Sequence, residues 1–253
     1  MRVKNSIALP NALGLSFKLI IDPFKKHRAT AAELGHLNAL LYSVNRAYTK
    51  TMGRHILWRY VLVAQPVPSK DRLSASRGRT IEVRQLNPGD PMLTLLPVTA
   101  QTIEHRLRQG AICLGAFKDG EIIGCTWLQL GAFDEDEVRC QFVPSPADKT
   151  AWDFDVYVAP PQRGSLAFLR LWDGANAYMR ARGIEWSMSR ISAFNQISLA
   201  SHSKMNARRL GTATYLRLGG CQIMIASLKP FLHLSMRPAA KPSIELHAPQ
   251  HTS

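Results

Sequence analysis

No apolar run in this 253-residue chain approaches the roughly 18–20 residues that a membrane-crossing helix needs. The opening stretch, MRVKNSIALPNALGLSFKLIIDPFKKH, is broken by Pro10, Asn11 and Asp22 and lacks a clean apolar core followed by a small-residue cleavage site. No secretory leader is expected from it, and the expected location is cytoplasmic. Cysteine is scarce. The four thiols, Cys113, Cys125, Cys140 and Cys221, form neither a CxxC pair nor a Cys/His cluster of zinc spacing, so a metal site is not expected. Cys113, Cys125 and Cys221 sit in apolar runs and read as reduced core residues.

Acidic residues are also few: 18 Asp and Glu stand against 32 Lys and Arg, a formal net charge of +14. The imbalance is local. Residues 1–79 hold 14 basic residues against Asp22, Glu33 and Asp71, a net of +11, which leaves +3 for the rest. Such an excess suits nucleic acid, anionic lipid or an acidic protein, and equally a solvated face.

What is present separates into three regions. Residues 1–79 read as a basic extension with a helix at ATAAELGHLNALLYSVNRAYTKTM, where Leu34, Leu37, Leu41 and Val44 recur at helical spacing. A strand, ILWRYVLVAQPV, and a linker at 69–79 complete it. Residues 80–228 alternate strand and helix signals. IEVRQL is a strand and VTAQTIEHRLRQG a helix stopped by Gly110; AICLGAFKDGEIIGCTWLQL is a hairpin turning at Asp119-Gly120. AWDFDVYVAP is a strand, the helix from Ser165 to Arg182 follows, then the strand IEWSMSRI, a short helix from about Gln196 to Met205, and two strands meeting at Gly219-Gly220. From Lys229 onward the chain is polar and proline-containing, and a disordered tail is expected over 229–253. This order predicts an α/β fold: a mixed, mostly antiparallel sheet with helices on both faces.

The stretch PPQRGSLAF, at the end of a strand and the start of a helix, carries the chemistry. A helix N-terminus gathers unpaired backbone N–H groups at the positive end of the helix dipole, which suits phosphate or pyrophosphate. Gly164 allows close approach, Ser165 and Ala167 keep the turn uncrowded, and Arg163 adds a charge for a phosphate. Downstream, Asn195 follows a strand, and Ser198 and His202 share one face of the next helix at i and i+4, so all three are expected to face residues 163–168.

The segment from Val156 to Gly211 resembles the GCN5-related N-acetyltransferase (GNAT) superfamily. Val158, Pro160, Arg163 and Gly164 match its V-x-P-x-x-R-G strand end, Asn195 and Ser198 match its second motif, and the element order from about 81 to 225 agrees. The resemblance covers roughly the C-terminal 60% of the chain and implies an acyltransferase using acetyl-CoA or another acyl-CoA as co-substrate, without a metal. The family turn, R/Q-x-x-G-x-G/A, places Leu166 and Phe168 at its glycines when anchored on Arg163, and Ser165 and Ala167 when anchored on Gln162.

The resemblance implies that backbone groups around Val156 and Val158 hold the thioester carbonyl. It also implies that His202, standing where the family has Tyr, returns a proton to the thiolate from a pKa near neutrality. Asn206 replaces the family glycine at the end of that helix and tolerates its left-handed stop. An amine nucleophile needs a carboxylate; of Asp153 and Asp155, which alternate along WDFDVYV, Asp155 is the expected base, acting through water. The acceptor expected is a small molecule or amino sugar, attacking through an amine or a hydroxyl. Two other readings stay open: an acidic acyl carrier protein as donor, docked by residues 1–79, and a non-catalytic module whose basic N-terminus binds an anionic partner such as nucleic acid or lipid.

Overall fold

The computed structural model describes residues 28, 30–237 and 239–250. The opening stretch read for a leader and the last three residues of the expected tail lie outside them. Contacts divide the chain into two units, Met1–His55 and Ile56–Ser253. The first holds helix α1 (His36–Met52), preceded by Gly35 at φ +78° and closed by Gly53 in the left-handed region. Leu37, Leu40 and Val44 on it are exposed.

The second unit contains every element of the predicted alternation. Strand β1 is Leu57–Pro66 and β2 Ile81–Leu86; helix α2 (Ala100–Arg108) precedes β3 (Ile112–Lys118) and β4 (Glu121–Gln129). Short β5 (Phe133–Asp134) and β6 (Gln141–Ser145) lead to β7 (Thr150–Val158), helix α3 (Ala167–Arg180) and β8 (Trp186–Ser192). Helix α4 (Gln196–Lys204), β9 (Arg208–Leu218), β10 (Cys221–Ala226), β11 (Leu232–Ser235) and β12 (Ser243–His247) complete the unit. Nine strands form one sheet in the order β11-β10-β9-β1-β8-β7-β4-β3-β2; β12, β6 and β5 form a second. Among the described residues only the pairs β7–β8 and β6–β12 are parallel, so the large sheet is mixed and mostly antiparallel.

Adjacent strand residues face opposite ways, and each face found its own cover. Cys113 and Trp127 pack with Ile103 of α2 and with Phe133, Phe142, Ile244 and Leu246 of the small sheet. Their neighbours Leu114 and Leu128 pack under Trp172, Ala175 and Met179 of α3. Helices therefore cover both faces. The β3–β4 hairpin turns at Asp119 (φ +52°) and Gly120 (φ +82°), the left-handed pair a two-residue turn demands.

Helix α3 approaches the sheet closely at Gly174, where an added Cβ would lie 2.5 Å from Val83 Cγ1 on β2. Gly174→Ala is expected to lower stability by about 1–3 kcal/mol through overpacking. Val83→Ala in the same chain should restore most of it, read by thermal melts of both single variants and the double.

Three expectations need correction. The boundary near residue 79 is misplaced: β1 lies in the middle of the sheet, hydrogen-bonded to β8 over Tyr60–Pro66 and to β9 over Leu57–Ala64, so the compact unit begins at Ile56. The composition shift used to place that boundary marks the basic loop after β1. The tail also carries regular structure among its described residues: β12 lies parallel to β6 with Ile244 and Leu246 fully buried. Lastly, Cys140 is buried like Cys113 and Cys125, whereas Cys221 is only partly covered.

Candidate active site between strands β7 and β8

Strands β7 and β8 run side by side for three rungs, Thr150–Trp186, Ala151–Ser187 and Trp152–Met188, and then diverge. On its other edge β7 departs from β4 as well. Trp127 pairs with Phe154 and Cys125 with Tyr157, so Thr126 alone faces both Asp155 and Val156. This is a β-bulge, with Asp155 at φ +53°. The two departures open the backbone of 155–157 to a cavity of about 790 Å³, a size usual for ligand sites. Asp155, Val156, Val158, Arg163, Gly164, Ser165, Phe168, Asn195, Ser198 and His202 all line it.

The turn forms because Pro160 and Pro161 end β7 and start a short 3-10 turn over Pro160–Gln162. Gly164 follows at φ +85°, with open space where a Cβ would stand. The N–H groups of Arg163 and Ser165 are taken by the carbonyls of Pro160 and Gln162, and Ser165 Oγ accepts from Ala167 N–H at 3.1 Å. Among the described residues, the N–H groups of Gly164, Leu166 and Phe168 have no backbone acceptor. Two predicted contacts fail as side-chain contacts. Ala167 is fully buried and Leu166 partly so, both packed against Ile81, Ala116 and Leu171 beneath the turn. Ala167, the small residue of the Gln162 anchoring, thus fills a crowded position, while Ser165 stays exposed.

Asn195 caps α4, its side chain accepting from Ser198 N–H at 3.0 Å. The helix stops at Asn206, φ +63°. His202 is buried, 3.1 Å from Gln65 Oε1 through Nδ1 and edge-on to Trp172. Burial lowers its pKa to about 4, so the imidazole is neutral near pH 7. The expectation of a near-neutral imidazolium acid is therefore corrected, because no anion stands by to hold the charge. Gln65 Nε2 is buried without a partner in this arrangement. Turning the amide lets that N–H donate to Nδ1 and orphans a carbonyl instead, the cheaper loss. The ring proton then sits on Nε2, which makes His202 a neutral hydrogen-bond donor.

Asp155 accepts from Arg106 Nη1 at 2.6 Å, while Arg106 Nε reaches Asp136 Oδ2 at 2.7 Å. Burial works against the Arg106 charge, but the carboxylates of Asp155 and Asp136 outweigh it and raise its pKa. Arg106 also lies over the rings of Trp127 and Phe154. The pairing holds the Asp155 side chain in place. On the other strand, Arg190 holds the buried Glu135 by two bonds of 2.6 Å. Burial alone would raise the Glu135 pKa, and Arg190 more than reverses that.

Sequence reasoning missed Arg106, Gln65 and Ser189, and ranked Asp153 below Asp155. Asp153 is buried at the cavity wall, accepts from Ser187 Oγ at 2.6 Å, and has its pKa raised to about 7 by burial, against the opposing pull of Ser187 and Ser189. Its burial in the run WDFDV was the available signal, since a polar residue flanked by Trp and Phe on a central strand is rarely exposed.

No family model and no curated protein matches the sequence. Solved structures do resemble it. An assigned acetyltransferase from Novosphingobium aromaticivorans is 20% identical, with TM-score 0.44 over 62% of this chain and 62% of that one. A tandem GNAT protein from the clavulanic acid biosynthesis pathway is 14% identical, with TM-score 0.43 over 65% of this chain and 55% of that one. Both of these are described as GNAT proteins. A third, a GNAT acetyltransferase from Elizabethkingia anophelis with acetyl-CoA bound, is 16% identical, with TM-score 0.37 over 49% of this chain and 74% of that one. The match spans less than two-thirds of the length of the first two. No helix among the described residues is long and apolar enough to cross a membrane.

Proposed function

We propose that the chain is an acyltransferase of the GNAT superfamily that moves an acyl group from acyl-CoA to an amine by direct attack on the thioester. The observation that carries this reading is the opening of one cavity by both the β7 bulge and the β7–β8 divergence, with the free N–H groups of the Gly164 turn at its rim. The turn would hold the pyrophosphate, with Arg163 beside it. The backbone of Val156 at the bulge, and that of Val158, whose carbonyl accepts from Arg163 Nε at 3.3 Å, would hold the pantetheine arm and polarise the thioester carbonyl.

The residues divide the remaining work by chemistry. Asp155, held by Arg106, draws the cationic amine to the bulge; a water on its carboxylate takes the amine proton and passes it to bulk solvent, freeing the lone pair that attacks the thioester carbonyl. His202 donates its Nε2–H to the sulfur as the C–S bond breaks, stabilising the thiolate without giving up a full proton. The acceptor is a small amine, amino sugars included. An acyl carrier protein as donor draws support only from the basic N-terminal region, and most of that region lies outside the described residues.

Release of free thiol from acetyl-CoA in the presence of a panel of small amines tests the proposal. Acceptor-dependent release should fall about 100-fold in kcat for His202→Ala, with KM for acetyl-CoA nearly unchanged. Release that ignores both the acceptor and His202 would refute the assignment.

A further inference from the structure

Part of the cavity wall is polar, where a site for a plain acyl group would be apolar. Past the last paired rung, Trp152–Met188, the first residues on the two strands are Asp153 and Ser189, and both line the cavity. They are among the most buried polar residues of the chain, at 1% and 3% exposure. Ser187 Oγ–H holds Asp153 Oδ2 at 2.6 Å and fixes the carboxyl's orientation. Ser189 Oγ leans toward the same carboxyl without closing a hydrogen bond, and has no other partner among the described residues.

A buried hydroxyl without a partner is costly, and natural sites rarely keep one for nothing. Phe154 and Ile191 also line the cavity. The bulge at Asp155–Val156, where the carbonyl would lie, is two to three residues further along β7. At about 3.3 Å per residue this is roughly 7–10 Å, and a hydroxyl on the third carbon of an acyl chain, about 4 Å from the carbonyl carbon, meets the nearer end of that range through one hydrogen bond of about 3 Å.

We propose that Asp153 and Ser189 form an acyl-recognition pocket selective for a short acyl group carrying a hydroxyl on its third carbon. This rests on the acyl-CoA reading above. The hydroxyl donates to Asp153 and accepts from Ser189, so both polar groups are satisfied. An alkyl chain leaves both unpaired. A terminal carboxylate would set a second anion against Asp153. A water held by the pair would satisfy them without any selectivity for the donor.

Calorimetric titration of the full chain with CoA, butanoyl-CoA and 3-hydroxybutanoyl-CoA decides the matter. The hydroxylated donor is expected to bind at least about tenfold tighter than its alkyl counterpart, in the range set by buried polar groups left unpaired. Ser189→Ala should bring that ratio to within about twofold. CoA and both donors binding with a ratio near one, or an alkyl donor preferred, would overturn the pocket and leave the CoA site standing. So would a ratio that Ser189→Ala leaves intact. Failure of CoA itself to bind would remove the parent reading and this one with it. Should Ser189→Ala not fold, the wild-type ratio alone decides.

Discussion

Replacing Arg106 with methionine is expected to cost about 3–5 kcal/mol of stability, the range for removing one partner of a buried ion pair. The guanidinium is 5% exposed and pairs with Asp136 and Asp155 while lying over Trp127 and Phe154. Methionine keeps much of the packing but leaves Asp136 largely covered without the guanidinium, with only His105 at 3.9 Å beside it. Arg106→Lys keeps the charge without the fork and should fall between. Arg106→Met with Asp136→Asn should recover part of the loss, because the stranded anion goes. Urea unfolding of the three variants reads this. The same change frees Asp155, which sits in the left-handed region only because the bulge and Arg106 hold it there. Donor affinity should therefore drop along with stability.

The second large effect belongs to Asp153. Its pKa is raised to about 7 from an ordinary 3.8. The folded state therefore holds the proton more tightly, and its contribution is fully present below about pH 4 and lost as pH rises through 7. About three pKa units correspond to at most about 4 kcal/mol. Asp153→Asn keeps the Ser187 contact without the ionisation. It should be near neutral at pH 4 and stabilising by up to that amount at pH 8. His202 works in the opposite direction over nearly the same window. Its pKa is lowered to about 4, so folding is favoured as pH rises from 4 to about 6.5. The wild-type curve sums the two, and the difference between Asp153→Asn and wild type isolates the carboxyl. A difference that is flat with pH would mean that Asp153 is ionised normally.

Local chemistry explains what could be read from the sequence. The Asp119-Gly120 turn, the Pro160-Pro161 stop, the α3 stripe through Trp172 and Met179, and Asn206 at a helix end are each decided by residues close in the chain. So is the turn at Gly164. The membership of β1 in the main sheet was not legible, because its partners lie more than a hundred residues away and the basic loop after it disguises the boundary. The parallel pairing of β12 with β6 was hidden in the same way, although Ile244 and Leu246 alternate as a buried strand should.

Within the site, Asp155, Gly164, Ser165, Asn195, Ser198 and His202 were named from sequence and line one cavity. Their states were not legible. The charge on His202 depends on burial beside Gln65, and the fixing of Asp155 depends on Arg106, 49 residues earlier.

The central claim is that the Gly164 turn and the β7 bulge hold the two ends of one CoA thioester. The most direct test is the amide proton–nitrogen spectrum of the labelled protein titrated with CoA. The signals of Gly164, Leu166 and Phe168, and those of Asp155 to Tyr157, should shift together along one saturable curve, while β10 and β11 stay in place. A spectrum in which those six amides stay still at saturating CoA, or in which shifts cluster elsewhere on the fold, would contradict the account.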